Sequence, residues 1–384
     1  MHIGLVTRSQ IDYALDLANG LDAQGKLVTL YIDYTKAVGE AGDLDRPLEH
    51  LYETGLLPHA SRVHLLRPPR MRDPRSYVFF RKLERTMQED GVDLIHILLN
   101  PGEIWFAILA CFLTDIPVVT TMIVPVANAG ERLPRSVIWA VNALAVFGSD
   151  MVIVNGSDQV DLVKRVYRIP TNRIAYVPLS LYTRAVNWHS DEISEEPGTI
   201  LFFGRAHLHK GLEYLVKAQP LITKKAPHAR ILISAHGEDL YRCQQLIRDH
   251  SKFEIYEGFV STDVMASFFR RASLVALPYI SASTSGVLVT AYSFAKPVVA
   301  SRVGCLAEYI QDGVTGILVE PSNVEELANA ILRLLSDDEM RHRMGAIGRN
   351  WARQAHEDSI NQTLGVYERA ISIHSRDSRD KAYL

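Results

Sequence analysis

Thr199-Ile200-Leu201-Phe202-Phe203-Gly204-Arg205-Ala206-His207-Leu208-His209-Lys210-Gly211 joins a short apolar run to a glycine bend that carries two cations. The run reads as a buried strand, and the segment from Leu212 onward has the period of a helix. Arg205 and Lys210 therefore fall where the start of that helix presents unpaired N–H groups, which is the make-up of a cradle for a diphosphate. The spacing differs from the phosphate loop ending Gly-Lys-Ser/Thr and from Gly-x-Gly-x-x-Gly, so neither nucleotide hydrolysis nor hydride transfer is the first expectation. Taken alone, the same residues also allow a plainer reading, a capping turn with two solvated charges.

Working outward, short runs rich in Val and Ile alternate with longer amphipathic segments along the whole chain, the pattern of parallel sheets with crossover helices. Strands are expected near 2–6, 28–32, 62–66, 93–97, 117–121, 151–154 and 174–177. A second series falls near 199–203, 230–234, 253–256, 273–277, 297–300 and 316–319. Between the series, residues 187–198 are polar and acidic without apolar period, and read as a linker. The expected fold class is α/β, two doubly wound Rossmann-like domains facing each other across a cleft, with ligands at the carboxyl ends of the strands. The expected boundaries are 1–186, linker 187–198, 199–350, and a helical segment 351–384 that returns to the first domain.

Composition narrows the function. The chain has 384 residues, more than one hydrophobic core usually covers, with 47% hydrophobic and 22% charged residues. Its net charge of -3 speaks against a general nucleic-acid binder, because neutralising phosphates needs a surplus of Lys and Arg. Cys111, Cys243 and Cys305 are odd in number and widely scattered, without metal spacing or a disulfide framework, which fits a reducing compartment. The chain opens on strand-like Met1-His2-Ile3-Gly4-Leu5-Val6, so a cytoplasmic location, or one at the inner face of a membrane, is expected. The apolar stretch from Ile104 to Val126 is interrupted by Asp115 and Pro117 and reads as a buried helix followed by a buried strand.

Two further runs add to the cradle. Ser281-Ala282-Ser283-Thr284-Ser285-Gly286-Val287 follows the apolar Leu274–Pro278 and opens a helix, so Ser283, Thr284 and Ser285 are N-cap candidates. Gly286 there lets a ligand approach the backbone. A helix start carries roughly half a positive charge, and two such ends with Arg205 and Lys210 would neutralise much of a nucleoside diphosphate without metal. The third run, Lys296 to Glu308, places a strand and the Gly304 turn beside this pocket, with Glu308 either accepting bonds from ligand hydroxyls or capping the helix it starts.

Gly-Arg-x-x-x-x-Lys-Gly at 204–211, Lys-Pro-Val-Val-Ala-Ser at 296–301, Gly-x-x-x-Glu at 304–308 and Asp-Gly-x-x-Gly at 312–316, in this order and at these distances, resemble glycosyltransferase family 4, the glycosyl transferases group 1, of the GT-B fold. The resemblance is specific across roughly 199–336 and loose across the first 190 residues. It implies a UDP- or GDP-sugar donor held by the second domain, an acceptor of carbohydrate, lipid-linked or small-molecule type approached from the first, and transfer with retention of anomeric configuration. It assigns the donor diphosphate to Arg205 and Lys210, after the Gly204 bend, and the walls of the base pocket to His236, Gly237, Gly258 and Phe259. Thr284, Ser285, Gly286, Val287, Thr290 and Glu308 complete the implied donor site.

Where the family commonly carries two glutamates eight residues apart, this chain has Ala282 and Thr290, of which Thr290 keeps one hydroxyl for a ribose contact. The usual His-Asp after the strand ending at Thr121 is Met122-Ile123. A nucleotide-sugar-binding relative without catalysis is therefore the rival expectation. No metal or cofactor is expected, since the acidic triplet Asp43-Leu44-Asp45 lies far from the phosphate motifs. His96 and Asn100, at the end of an apolar strand, are candidate acceptor contacts, with a satisfied core histidine as the alternative for His96. Residues 62–85 combine Arg62, Arg67, Arg70, Arg72, Arg75, Arg81, Lys82 and Arg85 with Tyr77, Phe79 and Phe80, a face that either rests on anionic lipid or is a solvated helix with buried aromatics.

Overall fold

The runs of Val, Ile and Leu fold as two all-parallel sheets, each wound on both faces by helices. The computed structural model describes residues 1–8, 10–33, 62–69, 73, 75–100, 103–112, 115–126, 134–179, 193–258, 260 and 262–382. The chain divides into two units, Met1–Ala127, Glu131–Ser180 and His356–Leu384 forming one, and Asn128–Gly130 and Leu181–Ala355 the other. Asp43-Leu44-Asp45, Arg70, Arg72, Phe259 and residues 187–192 of the expected linker lie outside the described residues.

The first unit runs β1 (His2–Thr7), α1 (Ile11–Ala23), β2 (Leu27–Asp33), β3 (Arg62–Leu66), α2 (Arg75–Glu89), β4 (Leu94–Leu99), α3 (Ile104–Phe112), β5 (Val118–Met122), α4 (Arg135–Gly148), β6 (Met151–Val154), α5 (Ser157–Tyr167) and β7 (Ile174–Tyr176). The strand order is β3-β2-β1-β4-β5-β6-β7. The winding reverses between β1 and β4, where an open parallel sheet forms its crevice. β4 is buried at every residue, as a strand covered on both faces must be.

The second unit runs β8 (Thr199–Arg205), α6 (Leu212–Lys225), β9 (Arg230–His236), α7 (Glu238–Gln244), β10 (Phe253–Glu257), α8 (Thr262–Arg271), β11 (Leu274–Leu277), α9 (Gly286–Ser293), β12 (Val298–Ser301), α10 (Gly304–Tyr309), β13 (Gly316–Val319) and α11 (Val324–Leu335). Its strand order is β10-β9-β8-β11-β12-β13, with the reversal between β8 and β11. Each of the thirteen expected strands has its counterpart.

A last helix, α12 (Asp338–Ala382), belongs to the second unit up to Ala355 and to the first from His356. Its later half closes the core of the first unit. His356 Nδ1 pairs with the buried Asp16 carboxylate of α1 at 3.1 Å, and Gly20 of α1 lies so close to Ile360 that an added methyl would sit 2.3 Å from the Ile360 side chain. The Tyr367 hydroxyl reaches His96 Nδ1 on β4 at 2.8 Å. In the second unit, Glu195 ties the end of the expected linker to Lys296 at 2.9 Å and to Arg341 at 2.8 Å. Glu196 binds Arg230 and, at 2.9 Å, Arg271. Four cations thus hold two consecutive glutamates, which accounts for an acidic, non-periodic stretch taking a fixed path. Among the described residues no helix is long and apolar enough to cross a membrane.

Candidate functional site

The glycine motifs converge at the carboxyl end of the second sheet, at its topological reversal. The bend after β8 is closed by a 3-10 turn, Leu208–Lys210, and Gly211 then serves as N-cap of α6 in the left-handed region, at φ 64°. A methyl on Gly211 would lie 1.9 Å from the Pro278 carbonyl oxygen after β11, so only glycine fits. The contact is reinforced by the Ile280 amide donating to the His209 carbonyl at 2.8 Å. The two loops flanking the reversal, after β8 and after β11, are thereby locked together.

The other motif glycines extend the same cluster. A methyl on Gly204, whose φ is 110°, would stand 3.5 Å from Val287 in the first turn of α9, in ordinary contact. One on Gly304 would meet the Ala282 carbonyl oxygen at 1.8 Å, pinning the third run against the second. At Gly237 the neighbour is the Ala206 carbonyl, 2.6 Å from the added carbon; the Ala206 amide in turn donates to His236 at 2.7 Å. Gly258, at φ 108°, donates to the Ala235 carbonyl at 3.1 Å and has open space where a side chain would project. Gly204, His236, Gly237, Gly258, Gly286 and Val287 therefore belong to one neighbourhood, built from four loops.

Its electrostatics are positive. Arg205 is exposed, at the rim, paired in register with His236 across β8 and β9. Burial, with repulsion from Arg205 and His207 added, lowers the His236 pKa, so that ring stays neutral at physiological pH. Lys210 is half-buried, its ammonium 3.9 Å from the centroid of the buried Tyr279 ring, a cation–π contact that fixes the direction of a flexible side chain. The α6 N-terminus has no side-chain cap. At α9, Ser285 is the N-cap, its Oγ accepting from the Leu288 amide at 3.3 Å, while Ser283 and Thr284 are half-buried beside it. The buried hydroxyls of Tyr279 and Ser281 find no hydrogen-bond partner among the described residues, an arrangement that costs about 1–3 kcal/mol per group.

Several expectations are corrected. The Thr290 hydroxyl donates to the Gly286 carbonyl at 2.9 Å, the usual back-bond of a helical threonine, so its proton is not offered to a ligand. Glu308 does not start or cap α10: it is the fifth of six residues there, exposed, with Val303 at the N-cap. His96 is fully enclosed, with Nδ1 on Tyr367 and Nε2 on Thr121 at 2.7 Å. Both ring nitrogens are taken, and burial drives its pKa down to about 3, so His96 is a neutral core residue and no acceptor contact. Asn100 stands half-buried after β4, its amide donating to the Glu103 carboxylate at 3.0 Å. Local reading missed Tyr279, whose only signal is an aromatic after the proline that ends β11. Among the described residues no three His, Cys, Asp or Glu side chains gather as metal ligands would.

The basic segment is also less cationic than a count of arginines implies. Arg75 pairs with Asp73, Arg81 with Glu84 at 2.9 Å and Arg85 with Glu89 at 2.9 Å, while Phe80 is buried against Trp105.

Comparison with known proteins agrees with this geometry. Residues 12–181 match the profile of Glycosyltransferase Family 4 and residues 197–337 that of Glycosyl transferases group 1. Over 180 residues the chain is 33% identical to a D-inositol 3-phosphate glycosyltransferase of Paenarthrobacter aurescens, covering 45% of this chain and 44% of that protein. The chain thus spans under half the length of this curated relative. Sucrose-phosphate synthase of Thermosynechococcus elongatus superposes with a TM-score of 0.70 at 20% identity, over 97% of this chain and 99% of that one. Anabaena HepE, solved with UDP and glucose, does so with a TM-score of 0.67 at 16% identity, over 100% and 99%. Two Rossmann-like parallel sheets, the four motifs in their order and both profile matches place the chain in glycosyltransferase family 4, the glycosyl transferases group 1, with the GT-B fold.

Proposed function

We propose that the chain is a retaining glycosyltransferase that moves a sugar from a nucleotide-sugar donor to a glycan, lipid-linked or small-molecule acceptor without a metal ion. The observation that supports this reading is the locking of the Gly204–Gly211 bend onto the loop after β11, which holds Lys210 next to the uncapped start of α6, with Arg205 exposed on the same bend. We take UDP or GDP as the donor diphosphate, and the UDP bound by the similarly folded HepE favours UDP.

In this reading the bond between the anomeric carbon and the leaving phosphate oxygen breaks while the acceptor oxygen bonds to the same face. The acceptor proton passes to the departing diphosphate, so no protein base is required. Negative charge grows on the leaving oxygens, and Arg205, Lys210 and the α6 amides are fixed where it grows. Neutral His236, with Gly237 and Gly258, lines the base, and Thr284, Ser285, Gly286 and Val287 meet the distal phosphate and sugar. Asn100, after β4 at the reversal of the first sheet, is the remaining acceptor candidate.

Titration calorimetry against UDP, GDP, ADP and their sugars, followed by transfer assays, tests the proposal. Lys210→Ala and Arg205→Ala should each lower turnover by about 100- to 1,000-fold with the fold intact. Near-normal turnover in both would refute the assignment, and product NMR showing inverted anomeric configuration would refute retention. Ala282 and Met122-Ile123, where the family commonly carries a glutamate and His-Asp, favour a second reading, a protein that binds nucleotide sugar without transferring it; binding without either hydrolysis or transfer would select that one.

A further inference from the structure

Helix α4 is apolar on both sides. Ile138, Val141, Ala145 and Val146 face the core, yet on the outer side Val137 is 41%, Trp139 51%, Leu144 37% and Phe147 70% exposed. Ala140 is exposed with them. A helix apolar all round is expected to be covered all round. The outer positions 137, 140, 144 and 147 step by three, four and three, which is the seam spacing of one helix packed along another.

We propose that a second copy of this chain covers this face, the two α4 helices lying antiparallel about a two-fold axis beside position 142. That pairing sets Phe147 opposite Val137 and Leu144 opposite Ala140, large against small at each level. A parallel pairing would oppose Phe147 to Phe147 and Ala140 to Ala140, leaving a clash and a void. Antiparallel packing also brings Arg135, which opposes the dipole of its own helix at the first turn, beside the carbonyl end of the other helix, where a cation is favoured. An isologous two-fold contact is the commonest way a soluble chain covers such a patch. An anionic bilayer fits less well. The α2 arginines of the same unit are already paired with Asp73, Glu84 and Glu89, and the chain carries a net charge of -3.

Light scattering after gel filtration, over a dilution series of the full chain, tests this. The expected mass is twice the 43.1 kDa of one chain. Phe147→Glu and Leu144→Glu should each weaken the dimer by about 100-fold or more while far-UV circular dichroism is unchanged. In a Cys111→Ser background, mixing Ala140→Cys with Leu144→Cys protein should give a covalent heterodimer on mild oxidation, and neither variant alone should. A monomer at every concentration, a dimer that survives both glutamate variants, or no cross-link in the mixture overturns the proposal. So does flotation of a monomer with anionic phosphatidylserine vesicles that Phe147→Glu abolishes, an outcome that assigns the face to lipid.

Discussion

Replacing Gly211 by alanine tests whether the anion loop is held by steric fit or merely by a flexible turn. Two costs arise. The first is the left-handed backbone, about 1 kcal/mol for a residue with a Cβ. The second is the collision: the added methyl would sit 1.9 Å from the Pro278 carbonyl oxygen, which is backbone and cannot rotate away. Relieving it must part the loops after β8 and β11, and forcing an extra methyl into a closed site costs roughly 1–3 kcal/mol. Gly313 is the matched control. Its φ of 75° is close to that of Gly211, yet nothing lies within 4 Å of the methyl position, so Gly313→Ala incurs the first cost alone. Native-state hydrogen exchange on peptides from β8, α6 and β11 reads the second unit directly, which matters because a chain of two units need not unfold in one step. Gly211→Ala should open these peptides with about 2–4 kcal/mol less free energy, and Gly313→Ala with about 1. UDP binding should weaken only in Gly211→Ala, where Lys210 is displaced from Tyr279. Equal losses in the two variants would show that the close contact does not hold the loop, and the argument from the glycine motif would fail.

Three further outcomes follow from single contacts. Glu195→Ala should destabilise the second unit by about 3 kcal/mol, measured by urea titration, because Lys296 and the nearly enclosed Arg341 lose a shared partner. The Glu195 carboxyl is partly buried, which opposes ionisation, but Lys296 and Arg341 outweigh this and lower its pKa; the contribution is therefore full above the ordinary carboxylate range and fades as pH falls through it, so Glu195→Gln should flatten that acid-side loss. His96 binds a proton in the unfolded chain below about 6.5 and in the folded chain only near 3, so acidification across that window should lower stability by about 1.4 kcal/mol per pH unit, a slope that His96→Gln should remove. Tyr279→Phe should leave UDP affinity unchanged in calorimetry, whereas Tyr279→Leu should weaken it about fivefold, the loss of roughly 1 kcal/mol of cation–π attraction.

What could be read from the chain, and what could not, divides by the range of the interactions. A buried parallel strand announces itself within a handful of residues, as Leu274–Leu277 and Val298–Ser301 do, because burial on both faces demands an unbroken apolar run. The cations of the anion loop are equally local, since Gly204, Arg205, Lys210 and Gly211 belong to one strand-to-helix connection. The properties that decide the site are not local. Gly211 is obligatory because of Pro278, and Lys210 is aimed by Tyr279, both supplied by a strand that reaches the loop only through the sheet reversal. His96 looks like a residue at a strand end until Tyr367, carried back by α12, closes over it. Even short range can mislead when only one charge sign is counted: Arg81 and Arg85 meet Glu84 and Glu89 three and four residues on, so two of the helix's cations are paired within it. The exposed side of α4 is the converse case. Its seam spacing is local and legible, but a buried helix has the same composition, and only the exposure of Phe147 and Leu144 in the fold separates the two cases.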